Sequence, residues 1–547
     1  MLKMKTNAEK IFLLLIITTF TKQFNDMYKG GGTYDLFEQW LGAGYIFSKV
    51  QAYRNLDFNN EIFLNELNVY DFFGYIFMLP AFIVERIVNK FFYSETNLPK
   101  NNIDTYFPSE DAQTFFTIHL VLLIYSYFCI VLIYMKLRNL TSNNFSLLFI
   151  FILFLIPSFG GHMLFNIKDI PFLLNLFLAK LFIFDYFHNK NIDQIKGKTL
   201  LKISFVISLS LLTRINSILF IGFLFLYLLF HNLDNLKIYI RKTTAVVLLA
   251  FVFLIFGSPS SWRNPADWLL QSFLFQSNHP WTGNTLTNGS YVFAQEMTGS
   301  YLATWYFYKM PLFVHICFLL FVFLLKNKYK KNAIEIYSFI FIITNFALFP
   351  VFKPTAYDGL RHFLFLIPFF AIVCSSVLIH VRGINKKIFN SIIILIFTYG
   401  LYTQAGLDQY RYTYFNEFTN LESITKECNN IDGCGNWITD YWGFSGKELS
   451  NKLNNKYKDS DLLICEPKHV FVNYTDVEYF NLIEFKDVVD LPSFYTMSLH
   501  RPRLGNDSCE FYIANFDIDC TTEDVVSRKL RGYEIIFSYI KKCSADI

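Results

Sequence analysis

The chain has 547 residues, 53% of them hydrophobic and 17% charged, with 65 Phe and a formal net charge of +4. A mean hydropathy of +0.32 excludes an ordinary soluble globular protein. The charges are mixed in sign with no long basic tract, which excludes nucleic acid as a partner.

The basic amino terminus, MLKMKTNAEK, leads into IFLLLIITTF (11–20) without a small-residue cleavage site, so a retained first span is expected. The runs VLLIYSYFCIVLIYM (121–135), FSLLFIFILFLIP (145–157) and FLFLIPFFAIVCSSVLI (363–379) approach the roughly 20 residues needed to cross a bilayer. Basic clusters at Lys3 and Lys5, 136–138, 189–198, 237–242, 326–332 and 381–387 read as cytoplasmic. Keeping them all inside demands an even number of crossings between neighbours. Short spans near 8–25, 113–135, 144–159, 171–187, 200–213, 216–230, 243–258, 305–325, 333–350, 363–380 and 388–405 satisfy that parity. The run 72–89 would invert everything after it and is read as a helix lying at the outer interface. The expected membrane module, residues 1–405, is all-α with about 11–13 spans.

Residues 406–547 change character. Short mixed runs such as DVEYFNLIEF and YEIIFSYIKK, separated by turn residues, predict a small α+β domain on the outer side. It carries six of the nine cysteines. On an oxidising side these suit disulfides, Cys428 with Cys434 closing a short loop, and unpaired packing cysteines are the competing reading. Cys129, Cys317 and Cys374 fall in spans and read as packing residues.

The same parity places the polar loops on one face, the outer one. Asp35, just past Gly30, Gly31 and Gly32, lies beyond the first crossing, with Glu38 three residues on. In a partly dry cavity such a carboxylate suits a general base; it equally suits capping of the next helix. His162, Lys168 and Asp169 follow the span ending at Pro157, where Lys168 is either a cavity cation or a headgroup anchor. Tyr357, Asp358, Arg361 and His362 precede a very apolar span, and Arg214 interrupts another. Arginine offers a permanent charge and a fork of donors for phosphate, while snorkelling to headgroups competes as a reading.

At these residues the chain resembles the bacterial branch of the lipid-phosphate-sugar-dependent glycosyltransferases of the C-type membrane fold. That superfamily includes protein O-mannosyltransferases and the enzyme adding aminoarabinose to lipid A. HMLFNIKDIPF (162–172) is similar to its His…Asn-x-Lys-Asp-x-Pro-Phe pattern. NHPWTGNTLTNGSYV (278–292) and GSYLATWYFYKMP (299–311), the latter with Tyr301 as a further pocket candidate, resemble its long outer loop. YDGLRHFLFLIPF (357–369), YRYTYFNEF (410–418) and NWITDYWG (436–443) resemble later segments.

The resemblance implies an inverting glycosyltransferase of the bacterial inner membrane, its site and C-terminal domain extracytoplasmic. The donor would be a sugar on a polyprenyl phosphate, and the acceptor a hydroxyl of a glycan, lipid or protein. By position the base falls on Asp35, preferred over Glu38, and the second-loop acid on Asp169. Lys168, Arg361, His362 and Tyr357 match the donor-phosphate site, with His162 and Arg214 as further pocket residues. A divalent metal stays open, because two loop acids suffice to hold one but no His/Asp cluster demands it. The rivals are a transporter or flippase of lipid-linked sugars, whose charges belong nearer the bilayer midplane, and a glycan polymerase or ligase.

Overall fold

The structure, a computed structural model, describes residues 7–55, 67, 69–72, 74, 77–92, 111–188, 192, 195–277, 279, 281–326, 332–425, 435–500, 509 and 518–545. The first part is all helical. The helices are α1 (Asn7–Lys29), α2 (Tyr34–Arg54), α3 (Met78–Phe92), α4 (Asp111–Leu140), α5 (Asn143–Leu155), α6 (Pro157–His162), α7 (Asp169–Phe187), α8 (Gly197–Thr213) and α9 (Ser217–Leu229). They continue with α10 (Leu236–Gly257), α11 (Pro265–Ser277), α12 (Tyr301–Lys309), α13 (Leu312–Lys326), α14 (Ala333–Phe352), α15 (Ile367–Ile384) and α16 (Lys386–Leu407). Among the described residues six helical stretches are long and apolar enough to cross a membrane, or seven if α12 and α13 count as one span. The chain is a multi-pass membrane protein.

Helix α7 is the centre of the bundle. Nearly all of its side chains are buried, including Lys180, whereas α16 turns most of its surface outward. α7 packs against α4, α8 and α9, which leaves its first turn, at Asp169, to face whatever gathers at that end.

The two ends of the bundle differ. At one, Arg138 pairs with Glu9 at 2.7 Å, Lys136 with Asp185 at 2.9 Å, and Lys242 donates to the Ile195 carbonyl at 2.8 Å. At the other lie the end of α1, where Asp26 pairs with Arg411 at 2.5 Å, and the start of α7. The grouping of polar loops expected from the parity of crossings is therefore present as one end of the bundle.

One expectation about spans is corrected. The run near 305–325 is not one helix: α12 and α13 meet at a bend of 114°. Pro311, lacking an N–H, stands at that break. The stretch 258–304 holds α11 and the hairpin β1 (Asn284–Thr287) and β2 (Ser290–Phe293). The split of 200–230 holds, because α8 ends where Arg214 takes an extended backbone and α9 starts three residues later. From the 72–89 run comes α3, fifteen residues, packed on α2 and α4 while Ile83, Val84 and Ile87 stay exposed.

The C-terminal part is a small α+β domain, as expected. Its sheet has the order β4-β3-β5-β7-β6, with β3 (Ser460–Ile464), β4 (Phe480–Leu482), β5 (Phe494–Leu499), β6 (Ile518–Leu530) and β7 (Tyr533–Ala545). Helix α17 (Gly446–Lys456) packs on β6 and β7. Disulfides join Cys465 to Cys509 and Cys520 to Cys543. The expected pair, Cys428 and Cys434, lies outside the described residues. Cys129, Cys317 and Cys374 are free and buried.

Candidate functional site

Four separate segments bring charge to one point. The glycine tract after α1 turns the chain so that Asp35 stands in the first turn of α2, where a carboxylate is favoured by the helix dipole. The tract needs glycine for close approach. A Cβ on Gly30 would lie 1.8 Å from the Phe444 ring of the C-terminal domain. The Gly31 N–H donates to the Phe444 carbonyl at 3.1 Å, and the Gly32 N–H to the Tyr474 hydroxyl at 2.7 Å.

Asp169 opens α7 and is set by Asn166, which is fully buried. The Asn166 carbonyl oxygen accepts the Asp169 N–H at 2.9 Å and the Lys168 N–H at 3.3 Å. Its amide nitrogen donates to Asp169 Oδ2 at 3.1 Å and lies 3.1 Å from His162 Nδ1. Since Asn166 supplies the donor there, His162 Nδ1 accepts and the ring proton sits on Nε2, directed at the Tyr441 hydroxyl 3.3 Å away. The other oxygen of Asp169 takes the Arg214 guanidinium.

Arg361 is the hub. Asp358 and Gly359 have φ of +54° and +76°, and the reversal they make lays Asp358 beside Arg361 at 3.1 Å. Tyr301 holds that reversal, its hydroxyl accepting the Gly359 N–H and donating to the Gly359 carbonyl, both at 3.0 Å. The Arg361 guanidinium donates to Asp35 Oδ2 at 2.8 Å and to His362 Nε2 at 3.2 Å, and lies 3.9 Å from Asp169. The faces of Tyr357 and Trp442 are 4.8 and 4.6 Å from its centre, and the side chain is 3% exposed. Lys168 reaches the same Asp35 oxygen at 3.6 Å.

A cavity of about 650 Å³ opens beside this cluster. One part of its wall is cationic or polar, with Lys168, Arg214, Arg361, His279 and His362; the rest is apolar, with Phe172, Phe220, Phe341, Leu348 and Phe352 among others. Among the described residues that line it, none is Asp or Glu. Burial pulls the Lys168 ammonium below the ordinary lysine range, with Asp35 opposing the shift and Arg361 and Arg214 adding to it. Burial, then the positive charges of Lys168, Arg214 and Arg361, lower His279 to about 4, so it is neutral at physiological pH. Tyr357 is pushed up to about 12, mainly by burial. The wall thus sets basic side chains beside a continuous apolar slot.

The sequence candidates divide accordingly. Asp35, Lys168, Asp169, Arg214, Tyr357, Arg361 and His362 come together. His162 is one residue removed, acting on Asp169 through Asn166, and Tyr301 supports the turn carrying Arg361. Glu38 lies outside the cluster: it is exposed and accepts from the Tyr70 hydroxyl at 3.1 Å. One helical turn past Asp35 was enough to carry it away. Asp358, grouped in the sequence with Tyr357, Arg361 and His362, joins them at the site, whereas Asn166 and His279 were not singled out, although each sits inside a motif segment. Among the described residues no group of three or more His, Cys, Asp or Glu side chains is arranged to hold a metal ion; the three nearby carboxylates are spread around Arg361 instead.

No family model and no curated protein matches this chain. Among solved structures it is similar to ArnT from Cupriavidus metallidurans bound to undecaprenyl phosphate, at 10% identity over 96% of this chain and 98% of that one, with a TM-score of 0.48.

Proposed function

We propose that the protein is an inverting glycosyltransferase that moves a sugar from a polyprenyl-phosphate donor to a hydroxyl acceptor, at the outer end of the bundle. The observation that carries this reading is the juxtaposition of Lys168, Arg214 and Arg361 with the aromatic wall of one cavity. A lipid phosphate needs both surfaces at once, cations for the head and apolar wall for the first isoprene units. The C-type motif segments around 162–172 and 357–369 support the same reading.

In that reaction the acceptor oxygen attacks the anomeric carbon, and the bond from that carbon to the phosphate oxygen breaks on the opposite face. Asp35 takes the hydroxyl proton, and the departing phosphate keeps the bond electrons and is held by Lys168 and Arg214. Asp169, oriented by Asn166, holds Arg214 in place. The charged cluster gathers at one end of the bundle, with Lys180 a buried exception further along α7, and that concentration favours transfer over transport. The test is binding of undecaprenyl phosphate to the purified protein in detergent. Saturable binding that collapses in the Lys168→Gln/Arg214→Gln variant supports the reading; wild-type protein that does not bind would overturn it.

A further inference from the structure

Gln39 follows Asp35 by four residues on α2, which sets it roughly 40° round the helix axis and about 6 Å along it, on the same face. It is 2% exposed and lines the cavity that Lys168 and Arg214 also line. Among the described residues its side-chain amide has no hydrogen-bond partner. Two other neutral groups on that wall are committed at both ends. Gln276 accepts the Ile215 N–H at 3.1 Å and donates to the Phe72 carbonyl at 2.7 Å. The Thr213 hydroxyl accepts from Asn175 at 3.0 Å and donates to the Leu209 carbonyl at 2.7 Å.

A buried amide left unpaired carries a desolvation cost that a water or a ligand normally offsets. Of the three parts of a polyprenyl-phosphate donor, the phosphate calls for cations and the isoprene chain for apolar wall. Neither calls for a neutral amide. The sugar does, because its hydroxyls both donate and accept, and a carboxamide presents one acceptor oxygen and two N–H donors. The sugar is joined directly to the phosphate, so a head held at Lys168 and Arg214 keeps the ring against this same wall.

We propose that Gln39 hydrogen-bonds hydroxyls of the donor's sugar, and so lets the cavity tell a glycosylated lipid phosphate from a bare one. The inference rests on the reading of the cavity as a lipid-phosphate site. It also gives release of the spent lipid a physical basis. Once the sugar has moved on, the product keeps its phosphate and isoprene contacts but leaves the buried amide unpaired again, which weakens its hold.

Binding to the purified full chain in detergent tests it, with undecaprenyl phosphate bare and carrying glucose, mannose or N-acetylglucosamine as the probes. The wild type should bind at least one glycosylated lipid about 5-fold or more tightly than the bare lipid, the scale of one or two hydrogen bonds. Gln39→Met keeps the length of the side chain and deletes the amide. It should shrink that preference to less than about 2-fold and leave affinity for the bare lipid within about 2-fold. Its melting temperature should not fall, since the amide has no partner to lose. A preference retained in Gln39→Met would mean that the amide holds water only, and would overturn the proposal. A wild type with no preference for any of the three sugars overturns it as well. Parallel loss of bare-lipid binding, with a lower melting temperature, would make Gln39 a packing residue. Should Gln39→Met fail to fold, Gln39→Ala is measured with the same expectations. Absence of all binding by the wild type overturns the cavity assignment itself, a result distinct from binding without discrimination.

Discussion

Arg361 donates a 2.8 Å hydrogen bond to Asp35 across 326 positions of sequence, joining the turn before α15 to the first turn of α2. Both side chains are largely withdrawn from water, 3% and 12% exposed. Three carboxylates, Asp35, Asp358 and Asp169, surround that guanidinium. Arg361 is therefore structural as well as a cavity residue.

Variants at the two partners should behave differently. Asp35→Asn keeps size and polarity while deleting the proton acceptor, so transfer should fall on the order of 10²-fold or more with the fold retained. Arg361→Ala takes a shared, buried partner from three carboxylates, at a cost of about 3–5 kcal/mol, and should lower thermal stability together with transfer. Asp169→Asn is the discriminating variant: if it abolishes transfer from a polyprenyl-phosphate sugar while Asp35→Asn leaves it intact, the base is Asp169.

Gly30→Ala tests the loop that carries Asp35. The new methyl would meet the Phe444 ring, so either the ring or the glycine tract must move. A displacement of about 1 Å at a catalytic group can cost on the order of 10²-fold in rate. Transfer should fall steeply while lipid-phosphate binding, proposed at Lys168 and Arg214, changes little. Equal loss of both would show that the tract matters only for folding.

His279 gives a pH signature. Its folded value of about 4 lies below the unfolded value of about 6.5, so the native state prefers the neutral ring. Its contribution to stability is fully present above pH 6.5 or so and is lost as pH falls toward 4, because the unfolded chain takes up the proton first. His279→Gln should flatten the melting-temperature profile in that window. An unchanged slope there assigns the pH dependence to other groups.

Peptide mapping without reduction should recover the Cys465–Cys509 and Cys520–Cys543 links and unlinked Cys129, Cys317 and Cys374. Reduction should loosen the C-terminal sheet, with each bond worth about 2–4 kcal/mol. Because Gly31 and Gly32 hydrogen-bond to that domain, transfer should decline with it. Retained full activity in the reduced protein would separate the domain from the site.

Sidedness is open to direct labelling. In a protein stripped of native cysteines, Glu422→Cys and Lys198→Cys both fall on exposed side chains. The former should react with an impermeant reagent from outside the cell and the latter only from inside, by the distribution of basic loops. The reverse pattern would invert the topology.

The local and one-dimensional properties of this chain were legible in its residues. Long apolar runs mark spans because the bilayer's thickness sets a length, and charge parity groups the polar loops because lysine and arginine do not cross easily. The break near Arg214 and the α+β character of the last 140 or so residues follow from the same local patterning. The α12–α13 bend was missed because an apolar count cannot see a direction change at Pro311, and Glu38 was retained because helical spacing alone does not say which neighbours surround a turn. What residue order could not decide is which distant groups meet. Asp35, Lys168, Asp169, Arg214 and Arg361 come from four segments, and each is ambiguous alone between cap, anchor and catalyst. Their meaning depends on distance and dielectric, and both are properties of the packed bundle: the glycine tract seated against Phe444, the Tyr301-supported turn and the Asn166 hub set the separations, and burial sets how strongly the charges act.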